Sequence, residues 1–180
     1  MPAKAIEGDI AGMYLVWNGK LLVHKRAAVG FPASHNKIST PGGKVDPGED
    51  FFTTAVRELE EEAAVVLPDT NKANFHVLNR IEKRPEFPNS VMYYRVLRSK
   101  PKVGGAKGEF TREVDMKFDF EAAGVKGEVA GPGYFWAEVK SLKKFLDDNS
   151  EKYKQIYMYA NLVKLIRVLG ARRRTRKASV

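Results

Sequence analysis

The chain predicts an α/β fold in which a mixed sheet carries helices on its faces, and three observations predict it. An Asn-Gly pair at Asn18-Gly19 separates two aliphatic runs, a helical period runs from Phe51 to about Ala64, and a longer one precedes Gly170. Strands and helices in this order build a sheet that needs cover on both sides.

Ile10 to Trp17 and Leu21 to Arg26 are rich in aliphatic and aromatic residues and read as strands. The intervening Asn18-Gly19-Lys20 makes them a hairpin, because Asn and Gly accept the positive φ of a tight connection. Residues 27 to 37 hold Gly30, Pro32 and Asn36 and read as a loop before a short strand at Lys37 to Thr40, with Pro41-Gly42-Gly43 as a turn. In the first helix Phe52, Val56, Leu59 and Ala63 recur at helical spacing and share one face. Asn74 to Arg80 and Val91 to Leu97 follow as strands, their connection fixed by Pro85 and Pro88. Residues 98 to 132 read as a long excursion with one strand near Met116 to Phe120. Tyr134 to Val139 makes the last strand and Ser141 to Leu146 a short helix. Asp148 and Glu151 have capping-box spacing for a final helix, whose apolar face is Tyr153, Ile156, Tyr157, Ala160, Val163 and Ile166 until Gly170 stops it.

At 180 residues the chain fits one domain, residues 1–170, burying roughly 70% of the surface an unfolded chain exposes. A composition of 43% hydrophobic and 29% charged residues excludes wholesale disorder. No apolar run approaches the roughly 18 to 20 residues that cross a bilayer, and the first residues lack a secretory stretch, so a cytoplasmic setting is expected. Zero cysteines exclude disulfides, thiolate zinc sites and cysteine nucleophiles, leaving oxygen or imidazole ligands for any metal. The net charge of +9 is uneven: residues 1–140 carry 20 Lys+Arg against 19 Asp+Glu, and residues 141–180 carry 11 against 3. Residues 171–180, with Arg172, Arg173, Arg174, Arg176 and Lys177, read as a disordered basic tail. Such a tail attracts the phosphates of RNA or an anionic membrane, or serves as a nuclear address, or solubilises the terminus.

The chemistry concentrates in Gly43-Lys44-Val45-Asp46-Pro47-Gly48-Glu49 and, seven residues on, Arg57-Glu58-Leu59-Glu60-Glu61-Glu62-Ala63-Ala64-Val65. At helical spacing Glu58, Glu61 and Glu62 fall within an arc of about 100°, away from the centre of the apolar stripe. Like charges so placed repel by about 0.2–0.5 kcal/mol per pair, and a divalent cation turns that repulsion into ligation. Hard oxygen donors favour magnesium or manganese. A solvated acidic helix face is the competing reading of the same three carboxylates.

The segment resembles the signature of the Nudix hydrolases, G x5 E x7 R E U x E E x G U with U aliphatic. Gly43, Glu49, Arg57, Glu58, Glu61 and Glu62 match it, and Leu59 and Val65 stand at aliphatic places. At a usage of about 7% per position, six such matches coincide by chance on the order of once in ten million. The second glycine is replaced by Ala64, where a left-handed helix end would cost roughly 1 kcal/mol or more. The replacement implies an altered turn or a prolonged helix and removes no carboxylate.

The resemblance implies a Nudix-type α/β/α sandwich around a mixed β-sheet and hydrolysis of a pyrophosphate link in nucleoside diphosphate derivatives, with Mg2+ or Mn2+. It implies Glu58, Glu61, Glu62 and the carbonyl of Gly42 as metal ligands, with Glu128 as a further ligand from a later loop. Arg57 and Glu49 orient the carboxylates by pairing. Which of the three glutamates is the general base stays open, because they titrate as one coupled group. Lys25-Arg26-Ala27-Ala28 and Pro41-Gly42-Gly43-Lys44 look like the MutT subgroup, which cleaves oxidised nucleoside triphosphates to monophosphate and pyrophosphate. Arg26 would then contact the nucleotide, Lys44 the phosphates, and Asn149, or its neighbours Asp147 and Asp148, the base. Phe135 and Trp136 either stack on a base or fill the core. No role is assigned to His24, His35 or His76. Diadenosine polyphosphate and ADP-ribose hydrolases often carry Tyr or Pro about sixteen residues after the motif, and neither stands near position 81. Two alternatives remain open: removal of the 5′ cap from RNA with the basic end as a backbone contact, and a non-catalytic module that binds nucleotide or RNA.

Overall fold

The computed structural model describes residues 8–26, 36–82, 88–103, 127–131 and 134–178, with backbone alone at 102–103, 127–131, 173 and 176–178. Its strands are β1 (Ile10–Trp17), β2 (Lys20–Lys25), β3 (Ile38–Ser39), β4 (Gly42–Lys44), β5 (Val65–Val66), β6 (His76–Ile81), β7 (Ser90–Leu97), β8 (Lys102–Val103), β9 (Gly127–Gly131) and β10 (Tyr134–Glu138). Its helices are α1 (Phe51–Ala63), α2 (Val139–Asp148), α3 (Ser150–Tyr153) and α4 (Ile156–Ala178).

The main sheet runs β6-β7-β1-β2-β10-β9, and the β1–β7 pair is parallel among antiparallel neighbours. Beyond the hairpin turn, β1 and β2 part company. β4 pairs with the first half of β1 and β3 with the end of β2, so residues 38–44 thread between the two long strands.

Alternation along the strands divides the core. Ala11, Met13, Leu15, Leu22, Tyr134 and Trp136 face α1, where they bury Ala55, Leu59 and Ala63. Tyr14, Val16, Leu21, Val23, Phe135 and Ala137 face the other way, against Leu142, Phe145 and Leu146 of α2 and Met158, Leu162 and Leu165 of α4. The result is the expected three-layer α/β/α arrangement. Trp136 is fully buried, edge-on to Trp17 at 5.8 Å, so Trp136 and Phe135 fill the core.

Several local expectations change. Pro41-Gly42-Gly43 does not turn the chain back; Gly42 opens β4 opposite Gly12. A Cβ on Gly42 would stand 2.7 Å from the Ala11 carbonyl oxygen, so glycine serves close strand approach there. Asp148 does not cap the final helix, because α2 extends to it and Lys144 pairs with it one turn back at 2.6 Å. α4 starts only at Ile156, and its buried residues are Met158, Asn161, Leu162 and Leu165, while Ile156 and Tyr157 are exposed. Apolar residues surround this helix closely enough that two faces compete, and packing on the sheet selects one. Gly170 does not stop it, and α4 continues through the basic run to Ala178. A lone glycine costs a helix about 1 kcal/mol, which arginine and lysine, both good helix formers, offset here. The strand expected near Met116 to Phe120 lies outside the described residues. No helix among the described residues is long and apolar enough to cross a membrane.

Candidate active site

α1 begins at Asp50, whose carboxylate accepts the Thr53 N–H at 2.7 Å. It ends at Ala64 in a left-handed conformation with φ 50°. Alanine therefore performs the turn usually given to glycine, and the helix is not prolonged. Leu59 and Ala63 anchor one face to the sheet. The opposite flank carries Arg57, Glu58, Glu61 and Glu62 toward β4.

Arg57 organises this flank. Its Nε donates to Glu49 Oε1 at 3.1 Å, Nη2 to Glu49 Oε2 at 3.1 Å and to the Lys44 carbonyl at 3.2 Å. Nη1 donates to both Glu58 Oε1 and Glu61 Oε2 at 3.0 Å. Thr54 Oγ1 completes the cradle of Glu49 at 2.8 Å. These hydrogen bonds hold the Glu49 carboxyl below its ordinary range, Arg57 first, and raise the guanidinium still further.

Glu58 lies directly on Gly43. A Cβ there would come within 2.2 Å of Glu58 Oε1, so the missing side chain is the space that the carboxylate fills. Burial pushes the Glu58 carboxyl up, against the pull of Arg57. Glu62 is deeper. Its Oε2 accepts the Gly42 N–H at 3.0 Å and the Tyr134 hydroxyl at 3.1 Å, and burial raises the carboxyl to about 7. Arg26 opposes that rise, which places its charge within reach of Glu62.

Among the described residues, no three acidic or histidine side chains converge on one cation position. Glu58 and Glu61 converge instead on the cationic Arg57 Nη1. The donor set nonetheless fits a hard divalent ion: carboxylate oxygens only, two already sharing one positive nitrogen, and a third buried where ionisation is unfavourable without added positive charge.

The remaining expected residues fall in different places. Lys44 is exposed at the end of β4 beside Arg57, and Gly42 reaches the site through its N–H. Glu128 lies on β9 opposite Trp136 in the strand register. Asn149 is not brought to the carboxylates: it closes α2, on the far side of the sheet, with Nδ2 donating to the Phe145 carbonyl at 2.9 Å. Two residues join the site without having been expected. Tyr134 bonds Glu62, and His24, buried and held neutral with its pKa lowered to about 3, stacks on Tyr134 at 4.4 Å. Their signal in the sequence is weak, since both sit in apolar strands.

A family model described as the NUDIX domain matches residues 8–154. The chain belongs to the NUDIX family. Membership makes it a hydrolase of phosphoric anhydride links, and the matched stretch holds every residue of the Arg57 and Glu62 networks. A NUDIX hydrolase from Alicyclobacillus acidocaldarius superposes with a TM-score of 0.56 at 16% identity, covering 89% of this chain and 91% of that one. The structure of an ADP compounds hydrolase gives 0.53 at 16%, covering 94% of this chain and 76% of that one. At these identities the likeness is one of fold. A MutT/nudix family protein from Enterococcus faecalis gives 0.43 at 21% identity, and the chain spans 58% of its own length and 42% of that protein's. No curated protein matches.

Proposed function

We propose that the chain is a MutT-like nucleoside triphosphate diphosphatase of the cytoplasmic nucleotide pool, releasing monophosphate and pyrophosphate, with residues 1–170 as its catalytic domain. The observation that carries this reading is the meeting of Glu58, Glu61 and Glu62 with Arg57, Glu49 and the Gly42-Gly43 pair at one end of α1. Glu58, Glu61, Glu62 and the Gly42 carbonyl hold Mg2+ or Mn2+, with Glu128 as a further ligand. When bound, the cation neutralises phosphoryl charge and lowers the pKa of an attacking water.

Arg57, fixed by Glu49, sets the rotamers of Glu58 and Glu61 without itself leaving the flank. One of the three glutamates takes the proton of the water. Arg26, near Glu62, contacts the nucleotide, and Lys44, exposed beside Arg57, meets the phosphates. Asn149, whose Nδ2 donates to the Phe145 carbonyl at the end of α2, or its neighbours Asp147 and Asp148, contacts the base.

The test is a panel of canonical and oxidised nucleoside triphosphates, ADP compounds, dinucleotides and capped RNA with Mg2+ or Mn2+, scored by product. Release of monophosphate and pyrophosphate from a triphosphate supports the reading, and turnover confined to another class overturns it. A second reading, removal of the RNA cap, is favoured by Arg172 and Arg174 on the exposed end of α4. Its activity would fall steeply with salt and on deleting residues 171–180.

A further inference from the structure

We propose that Tyr134 is a positioning residue for Glu62, aimed by its stack on His24, and that together they leave one carboxylate oxygen of Glu62 directed to the cation. The proposal rests on the reading of the site as dication-dependent. Glu62 Oε2 accepts two hydrogen bonds from two different strands, the Gly42 N–H of β4 at 3.0 Å and the Tyr134 hydroxyl of β10 at 3.1 Å. The terminal torsion of a glutamate is otherwise broad and roughly two-fold, so two donors at one oxygen select its orientation. Among the described residues no hydrogen bond takes the other oxygen, Oε1.

The tyrosine ring is itself fixed. It is 1% exposed and lies parallel to the His24 imidazole, with centroids 4.4 Å apart and planes 7° apart. The two residues stand opposite each other in the β2–β10 register, so strand pairing sets the stack before any side chain chooses a rotamer. His24 is 3% exposed, and among the described residues its Nδ1 has no hydrogen-bond partner. Burial keeps the imidazole uncharged, so the brace adds no positive charge to compete with a cation for Glu62.

The test is Tyr134→Phe, which keeps the ring and the stack and removes only the hydroxyl. Three quantities are read: Mn2+ affinity of the substrate-free protein by electron paramagnetic resonance, kcat and KM on the triphosphate that wild type cleaves, and the thermal midpoint. Mn2+ binding is expected to weaken about 10–100-fold, with a matching loss in kcat at low Mn2+, while nucleotide KM and the midpoint hold. In a Glu62→Gln background the same change is expected to add nothing, because both act through one carboxylate. His24→Leu should show a smaller loss in the same direction, and it serves as the probe if Tyr134→Phe folds poorly.

Wild-type Mn2+ affinity in Tyr134→Phe, or a loss that multiplies with Glu62→Gln, overturns the proposal. A wild-type protein that binds no Mn2+ overturns it too. If wild type binds Mn2+ yet cleaves no triphosphate, the proposed activity falls and the Mn2+ arm still decides the role of Tyr134.

Discussion

Gly43→Ala perturbs the site through a single methyl group. Gly43 lies in extended backbone on β4, so alanine meets no conformational penalty there. The new Cβ, however, would lie 2.2 Å from Glu58 Oε1 and 2.5 Å from Glu58 Cδ, where ordinary contact begins at 3.4 Å. Glu58 must therefore retreat by about 1 Å, and a displacement of that size costs on the order of 100-fold in rate, or about 2.7 kcal/mol of transition-state stabilisation. Because the clash is with the tip of one half-buried side chain, the thermal midpoint should move by less than about 2 °C, the equivalent of about 0.5 kcal/mol. The assay is kcat/KM on the best triphosphate beside a thermal melt. Activity within threefold of wild type, with an intact fold, would refute the claim that Glu58 must sit against Gly43.

Arg57→Lys keeps the charge but cannot serve Glu49, Glu58, Glu61 and the Lys44 carbonyl together, so kcat should drop about 10–100-fold in steady-state assays at saturating Mn2+. The Glu62 carboxyl is raised from 4.5 to about 7, so the metal-free fold holds a proton that the unfolded chain releases. The contribution of Glu62 to stability should then be full below pH 4.5 and fall by about 3 kcal/mol as pH climbs to about 7, against the opposite contributions of carboxyls held low such as Glu49 and Asp69; in urea melts across that window the difference between wild type and Glu62→Gln isolates this part of the slope. Cation affinity should rise over the same window, since the ion displaces that proton, and calorimetry in two buffers measures the proton released. Ala64→Gly relieves about 1–2 kcal/mol of left-handed strain but loses about 0.8 kcal/mol of methyl burial and about 0.5–1 kcal/mol of backbone entropy, so the thermal midpoint should stay within about 2 °C of wild type in a melt.

Much of the fold was legible because its signals are local. Asn18-Gly19 marks the hairpin with positive φ at both residues, and Phe52, Val56 and Leu59 mark the buried side of α1 by spacing alone. The glutamates, Arg57 and Glu49 were legible for the same reason, lying within one short segment whose helix fixes their relative placement. What was not legible depends on partners far away in the chain. Gly42 looks like a turn residue until β1 is brought against it, and Tyr134 looks like core until its ring end meets Glu62, 72 residues earlier. The face of α4 was legible only in part: Ile166 and the preceding Tyr153 pack on the core, but Ile156 and Tyr157 are exposed and Met158, Leu162 and Leu165 are buried, because the helix offers two apolar stripes and docking on the sheet decides between them.

A Mn2+ titration of the wild-type chain and of Glu58→Gln, Glu61→Gln and Glu62→Gln, followed by electron paramagnetic resonance, bears most directly on the central claim that these carboxylates hold a divalent ion. Saturable wild-type binding at about 1 mM or tighter is expected, weakened about tenfold or more in each variant. Wild-type protein that takes up no Mn2+ at several times that concentration, or variants that bind as tightly as wild type, would contradict it.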